Sequence, residues 1–79
     1  MQLEYDPEAD AIYISLTGDE RPVSRTEELD DLRSVDYDAN GEPVGVEFLS
    51  VSDGIDLARV PQQASVAEIL RAVHVVTAA

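Results

Sequence analysis

Apolar and polar residues alternate with period two through much of the first fifty positions, the spacing of β-strands with one buried face. The alternation is strongest over residues 33–51, RSVDYDANGEPVGVEFLSV. Val35 and Tyr37 alternate with Ser34, Asp36 and Asp38, and Val44, Val46 and Phe48 alternate with Gly45 and Glu47. Asn40-Gly41 between these arms predicts a central β-hairpin, since both residues tolerate the positive φ of tight hairpin turns. Matched alternation puts Val35, Tyr37, Val44, Val46 and Phe48 on one apolar face.

Upstream, residues 2–6 read as a short strand with Leu3 and Tyr5 on one face, and DPEAD as the turn after it. Residues 11–17, AIYISLT, form the clearest strand, with Ile12, Ile14 and Leu16 alternating with Ala11, Tyr13 and Ser15. Residues 18–20 predict a turn. Residues 21–28 predict an edge strand, because Pro22 cannot donate to a ladder and Val23 is the only strong apolar residue. For residues 26–32, TEELDDL, the preferred reading is a loop holding one helical turn, capped by Thr26 and carrying Leu29 and Leu32. An acidic connection into the hairpin is the alternative.

Beyond the hairpin, Ser52-Asp53-Gly54 breaks the pattern, and Ile55, Leu57 and Val60 predict a short turn tucked against the sheet before Pro61. Ser65 and Glu68 have capping-box spacing, and Val66, Ile69, Leu70 and Val73 fall at i, i+3, i+4 and i+7. A helix from residue 65 or 66 to about His74 follows, with VVTAA as a frayed tail. The expected fold is α+β in a single domain, 1–79. An antiparallel meander of four or five strands fills 1–51, and a short turn and C-terminal helix, packed on one sheet face, fill 52–79. Tyr13, Leu49 and Val51 fall on the opposite face, which leaves loops or a dimer interface to cover them.

Composition narrows the chemistry. Seventy-nine residues lie near the lower limit for a self-sufficient core, so self-association is a natural supplement. The chain has no cysteine, which excludes disulfides, thiolate zinc sites and cysteine nucleophiles. It has no lysine either, which excludes Schiff-base chemistry and a P-loop. Seventeen acidic residues against five arginines give a net charge of −12, unfavourable for nucleic acid and for anionic membranes. The acidity suits solubility, a salt-rich cytoplasm or a basic protein partner. The first ten residues lack the basic and apolar regions of a signal peptide, and no apolar run approaches the ~20 residues of a membrane span. A soluble, cytoplasmic protein is expected.

Asp36, Asp38, Asn40, Gly41 and Glu47 satisfy the calcium-loop pattern D-x-[DN]-x-[DN]-G-x5-E. Their flanks repeat with period two, whereas that loop needs a helix on each side, so a hairpin with solvated acids is the preferred reading. Asp36, Asp38 and Asn40 remain candidates for looser binding of a divalent cation. Asp6, Asp10, Asp36 and Asp38 form a candidate acid/base cluster if the first and fourth strands are neighbours, because close carboxylates raise one another's pKa. His74 suits a helix end. With His74 the one histidine and no lysine in the chain, no triad, catalytic residue or cofactor is assigned. Arg25 and Arg33 are expected to pair with nearby acids at the surface, an effect worth little.

The blocks YDPEADAIYISL and VDYDANGEPVGVEFLSVS, in order, resemble the bacterial domain-of-unknown-function 2283 family. Tyr5, Asp6, Asp10, Ala11, Ile12, Tyr13 and Ile14 match its first motif. Val35, Asp36, Tyr37, Asp38, Gly41, Val44, Gly45, Val46 and Glu47 match its second. Ile12 stands where the family often has leucine, and residues 52–79 match only as a turn and a helix. The resemblance implies the sheet-plus-helix architecture, carries no catalytic residues, and hints at partnership with small toxin-like proteins. The expected function is a non-enzymatic association module, as a homodimer or as the acidic, antitoxin-like partner of a basic protein. The alternative is a carboxylate-based enzyme or a divalent-metal or ligand-binding protein using Asp6, Asp10, Asp36 and Asp38.

Overall fold

The structure, a computed structural model, describes residues 1–73, 75, 77 and 78. Five antiparallel strands form one sheet: β1 (Gln2–Asp6), β2 (Ala11–Ser15), β3 (Arg25–Asp30), β4 (Arg33–Tyr37) and β5 (Pro43–Leu49). Their order is β1-β2-β5-β4-β3. The sheet therefore departs from a simple meander, since β2 pairs with β5. Burial accounts for this order. Strands β2 and β5 bury Ile12, Ile14, Val44, Val46 and Phe48 and take the inside positions, while the charged β3 takes an edge.

The hydrophobic alternation translates into register. Ile12 faces Phe48 and Ile14 faces Val46 across β2 and β5, and Val46 faces Val35 across β5 and β4. This face is covered by the C-terminal third. A 3-10 turn (Val51–Asp53) leads into a two-residue strand, β6 (Ile55–Asp56), and then helix α1 (Gln63–Ala72). Val51, Ile55, Leu57, Val60, Val66 and Leu70 complete the core. Strand β7 (Thr77–Ala78) pairs in parallel with β6, so part of the tail expected to fray joins a ladder. Among the described residues no helix is long and apolar enough to cross a membrane.

Several expectations need correction. The chain reverses between β4 and β5 over residues 38–42, where Gly41 has φ 79° and Asn40 does not have positive φ. The Gly41 amide donates to the Asp38 carbonyl (3.1 Å) and the Asp38 amide donates to the Glu42 carbonyl (2.9 Å), so this is a longer loop than a two-residue Asn-Gly turn. Strand β3 begins at Arg25, and residues 21–24 lie outside it. It runs on through Asp30, where a loop with a helical turn was expected. Pairing with β4 satisfies this acidic backbone, and an irregularity between Glu28 and Asp30 leaves Leu29 packed against the core.

Helix α1 starts at Gln63, behind Gln62 at φ 53°, with no side-chain cap, so Ser65 and Glu68 do not form the expected capping box. Burial of Leu57 and Val60 delivers the chain to the helix two or three residues early. Val66 and Leu70 are fully buried, Ile69 is partly buried, and Val73 is exposed. His74 lies outside the described residues.

Arg33 overturns a further expectation. Its side chain is only 6% exposed and acts inside the fold. Nε and Nη2 donate to Asp30 (3.0 and 2.9 Å), while Nη1 donates to the carbonyls of Asp56 (2.9 Å) and Ala58 (2.6 Å). A guanidinium in the core face thus clamps the β3–β4 turn to the segment that covers the sheet. Arg25 instead stacks on Tyr37, 4.0 Å from the ring centroid.

Candidate functional site on the open sheet face

The second sheet face carries neither α1 nor the 51–60 segment, and strand register defines its rows. Glu4 faces Tyr13, Tyr13 faces Glu47, Glu47 faces Ser34 and Ser34 faces Glu28. One row therefore crosses all five strands, with an exposed glutamate on β1, β5 and β3. Strands lie about 4.8 Å apart, so these glutamates recur at roughly 10 Å. The neighbouring row is Gln2, Ser15, Gly45, Asp36 and Thr26.

Tyr13 links the two rows. Its hydroxyl donates to Asp36 Oδ2 (2.8 Å), and the Thr26 hydroxyl donates to Asp36 Oδ1 (2.6 Å). Four strands are joined by this chain, because the phenol spans β5 on its way from β2 to β4. It can do so because residue 45 is glycine: a Cβ there would overlap Tyr13 Oη and Cζ. A glycine inside a strand is the sequence signal of such a close approach, one that alternation alone passes over. Thr26, expected to cap a helical turn, is instead a strand residue paired with Asp36.

Burial, the hydrogen bond to Asp36 and the charges of Asp36, Glu47 and Glu4 push the Tyr13 pKa up to about 12. A phenol this weakly acidic is neither a nucleophile nor a base near neutral pH. It serves as a strut and as an aromatic surface.

The four candidate aspartates do not gather. Strands β1 and β4 are separated by β2 and β5, so the condition for a cluster is not met. Asp6 Oδ1 accepts the Glu8 and Ala9 amides within its own turn (3.1 and 3.2 Å). Asp10, at φ 52°, accepts the Ser52 amide and hydroxyl (3.0 and 2.6 Å). Asp6 pairs with Ala11 and Asp10 precedes it, so both are at the Ala11–Leu49 end of the β2–β5 ladder, whereas Asp36 pairs with Gly45 toward the other end.

Asp38 is buried in the 38–42 loop. Its Oδ1 accepts the amides of Asn40 and Glu42 (2.9 and 3.0 Å), and Oδ2 accepts Arg21 Nη1 (3.3 Å). The Glu42 amide leads the interactions that lower its pKa. The calcium-loop pattern is therefore distributed over a strand, a self-bonded turn and a second strand. Among the described residues no group of three or more histidine, aspartate or glutamate side chains is placed to hold a metal ion.

Of the candidate interface residues, Tyr13 is half-buried and Leu49 is exposed on the open face. Val51 is in the core instead. Ser50 adopts φ 53°, which ends the alternation of β5 and turns Val51 inward. Two clefts flank Tyr13. One, of about 510 Å³, lies between Ser15, Thr17 and the 19–23 segment. The other, of about 310 Å³, is lined by Glu4, Asp6, Ala11, Glu47 and Leu49 among others.

None of the five arginines stands in the two strand rows of the open face, although Arg21 lines the larger cleft beside Tyr13. Arg25 and Arg33 face the core side by register, and Arg21 binds Asp19, Asp38 and Glu42 at the loops. Arg59 donates to the Leu29 carbonyl (2.8 Å), and Arg71 is in the last turn of α1. With no lysine in the chain, the face presents Glu4, Glu28, Asp36 and Glu47 without a cationic side chain among them.

No curated protein and no solved structure matches the chain. A family match spans residues 2–52, the segment that holds all five strands, the Tyr13–Gly45–Asp36 crossing and the link to Asp10. By that match the chain belongs to the family described as a protein of unknown function, DUF2283.

Proposed function

We propose that the protein is a non-enzymatic association module that binds a basic protein through its open sheet face. The observation that carries this reading is the charge of the face, with three exposed glutamates in one transverse row, Asp36 beside them and no arginine among them. Complementary charge steers encounter and suppresses wrong partners. A second copy of the chain fits less well, since stacking two such faces sets glutamates against glutamates. Four of the five arginines are also engaged within the fold. An antitoxin-like role, with a small basic toxin as the partner, is one form of this function.

The test is purification of the tagged full chain from its host, followed by the same purification with Glu4→Gln, Glu28→Gln and Glu47→Gln combined. A stoichiometric basic partner is expected to be retained by the native chain and lost from the triple variant. The complex is also expected to weaken as salt rises, because the Debye length shortens to about 3 Å at 1 M. A complex indifferent to the triple variant and to salt would refute the reading. Recovery of the chain only alone, or only as a homodimer, would refute it as well.

A further inference from the structure

We infer that the partner anchors on this face through an arginine seated beside the Tyr13 ring, with its guanidinium between Glu4 and Glu47. The inference rests on the association reading above and narrows it to one side-chain chemistry at one place. Three observations converge there. Tyr13 stands directly between Glu4 and Glu47 in the ladder, so an approaching cation meets a carboxylate on either side. The Tyr13 ring reaches across β5 at Gly45 and remains half-buried, which leaves part of its surface open to solvent. Beside it is the cleft of about 310 Å³, where Ala11 and Leu49 supply apolar surface for an aliphatic stem.

A guanidinium matches this arrangement better than an ammonium does. It is planar, stacks on aromatic rings, and spreads its donors toward two carboxylates. The fold already uses the same pairing elsewhere, in the stack of Arg25 on Tyr37. Asp36 takes little part in recognition, because Tyr13 and Thr26 each already donate to its carboxylate.

The test is an amide NMR titration of the full chain at low salt with short capped oligoarginine and, separately, oligolysine of equal length. Shifts are expected to cluster at Glu4, Ala11, Tyr13, Glu47 and Leu49, with oligoarginine bound more tightly by at most about twofold to fivefold, the whole of an exposed cation–π contact. Tyr13→Leu should remove that preference while keeping the charge-driven binding. Tyr13→Phe keeps the ring and loses only the Asp36 bond, so it should retain the preference. That pair of variants separates a platform from a strut, and dispersed amide spectra confirm that each variant is folded.

Shifts confined to the open face with no arginine preference, or a preference that survives Tyr13→Leu, would overturn the inference and leave the association reading standing. Shifts scattered over all carboxylates, including those of α1 and the 51–53 turn, would overturn both.

Discussion

Gly45→Ala offers the sharpest test of how the open face is built. The substitution introduces no backbone strain, because Gly45 is not among the residues with positive φ. Its effect comes from one overlap, that of the new Cβ with Tyr13 Oη and Cζ. The phenol must swing off β5, which breaks its 2.8 Å bond to Asp36 and uncovers the strand. A hydrogen bond to a charged acceptor is worth about 1.5–3 kcal/mol, with the lower end apt here because water can reach a half-buried site. The lost ring contact adds to this, while replacing glycine returns about 0.4–1 kcal/mol through the unfolded chain. A net loss of about 1–2 kcal/mol is expected.

Urea denaturation measures that loss directly. In a domain this size each kcal/mol also lowers Tm by about 4–8 °C. Ultraviolet titration of the phenolate should show the Tyr13 pKa falling from about 12 toward its ordinary value of 10. The decisive measurement is the double-mutant cycle. In a Tyr13→Leu background the obstacle is gone, so Gly45→Ala should become neutral or stabilising by about 0.4–1 kcal/mol. Equal destabilisation in both backgrounds would refute the reasoning, since the cost would then have nothing to do with Tyr13.

Two further outcomes are expected. Arg33→Met should cost about 2–4 kcal/mol by urea denaturation, since it strands the Asp56 and Ala58 carbonyls and leaves the β3–β4 turn without its clamp; a loss no larger than that of a surface arginine would contradict the clamp. Stability should also fall at both pH extremes. The pKa values of Asp19, Asp30 and Asp38 are lowered in the fold, chiefly by Arg21, by Arg33 and by the Glu42 amide respectively. Their contribution is present above the unfolded carboxylate pKa of about 4 and is lost as pH drops through the lower folded values. Tyr13 is the opposite case: its contribution is complete below pH 10 and is lost as pH rises toward about 12. Thermal melts across pH should show both flanks, and the alkaline one should shrink in Tyr13→Phe.

Much of the fold could be read from the chain because it depends on local periodicity. The alternation of Ile12, Ile14, Val44, Val46 and Phe48 was enough to name the buried face, and it is buried as expected. The helical stripe identified Val66 and Leu70, whose sides meet the core. Apolar spacing reports what a side chain must avoid, namely water, and that requirement holds wherever the neighbours come from. Composition likewise determined which chemistries were absent, with no lysine and no cysteine to perform them.

Everything that depends on which strands meet was decided by tertiary structure. β2 pairs with β5, which separated Asp6 and Asp10 from Asp36 and Asp38. β4 supplied a ladder for an acidic segment whose own residues disfavour a strand. Ser50 and Gln62 took left-handed φ, which turned Val51 into the core and moved the start of α1, because burial of the segments around them outweighed local preference. Arg33 went inward since two carbonyls and Asp30, up to 25 residues away in the chain, receive its hydrogens there. The open face follows the same rule. Its glutamates are visible in the chain one by one, but only pairing across five strands puts Glu4, Tyr13, Glu47, Ser34 and Glu28 in one row, and only the missing side chain of Gly45 lets Tyr13 reach Asp36.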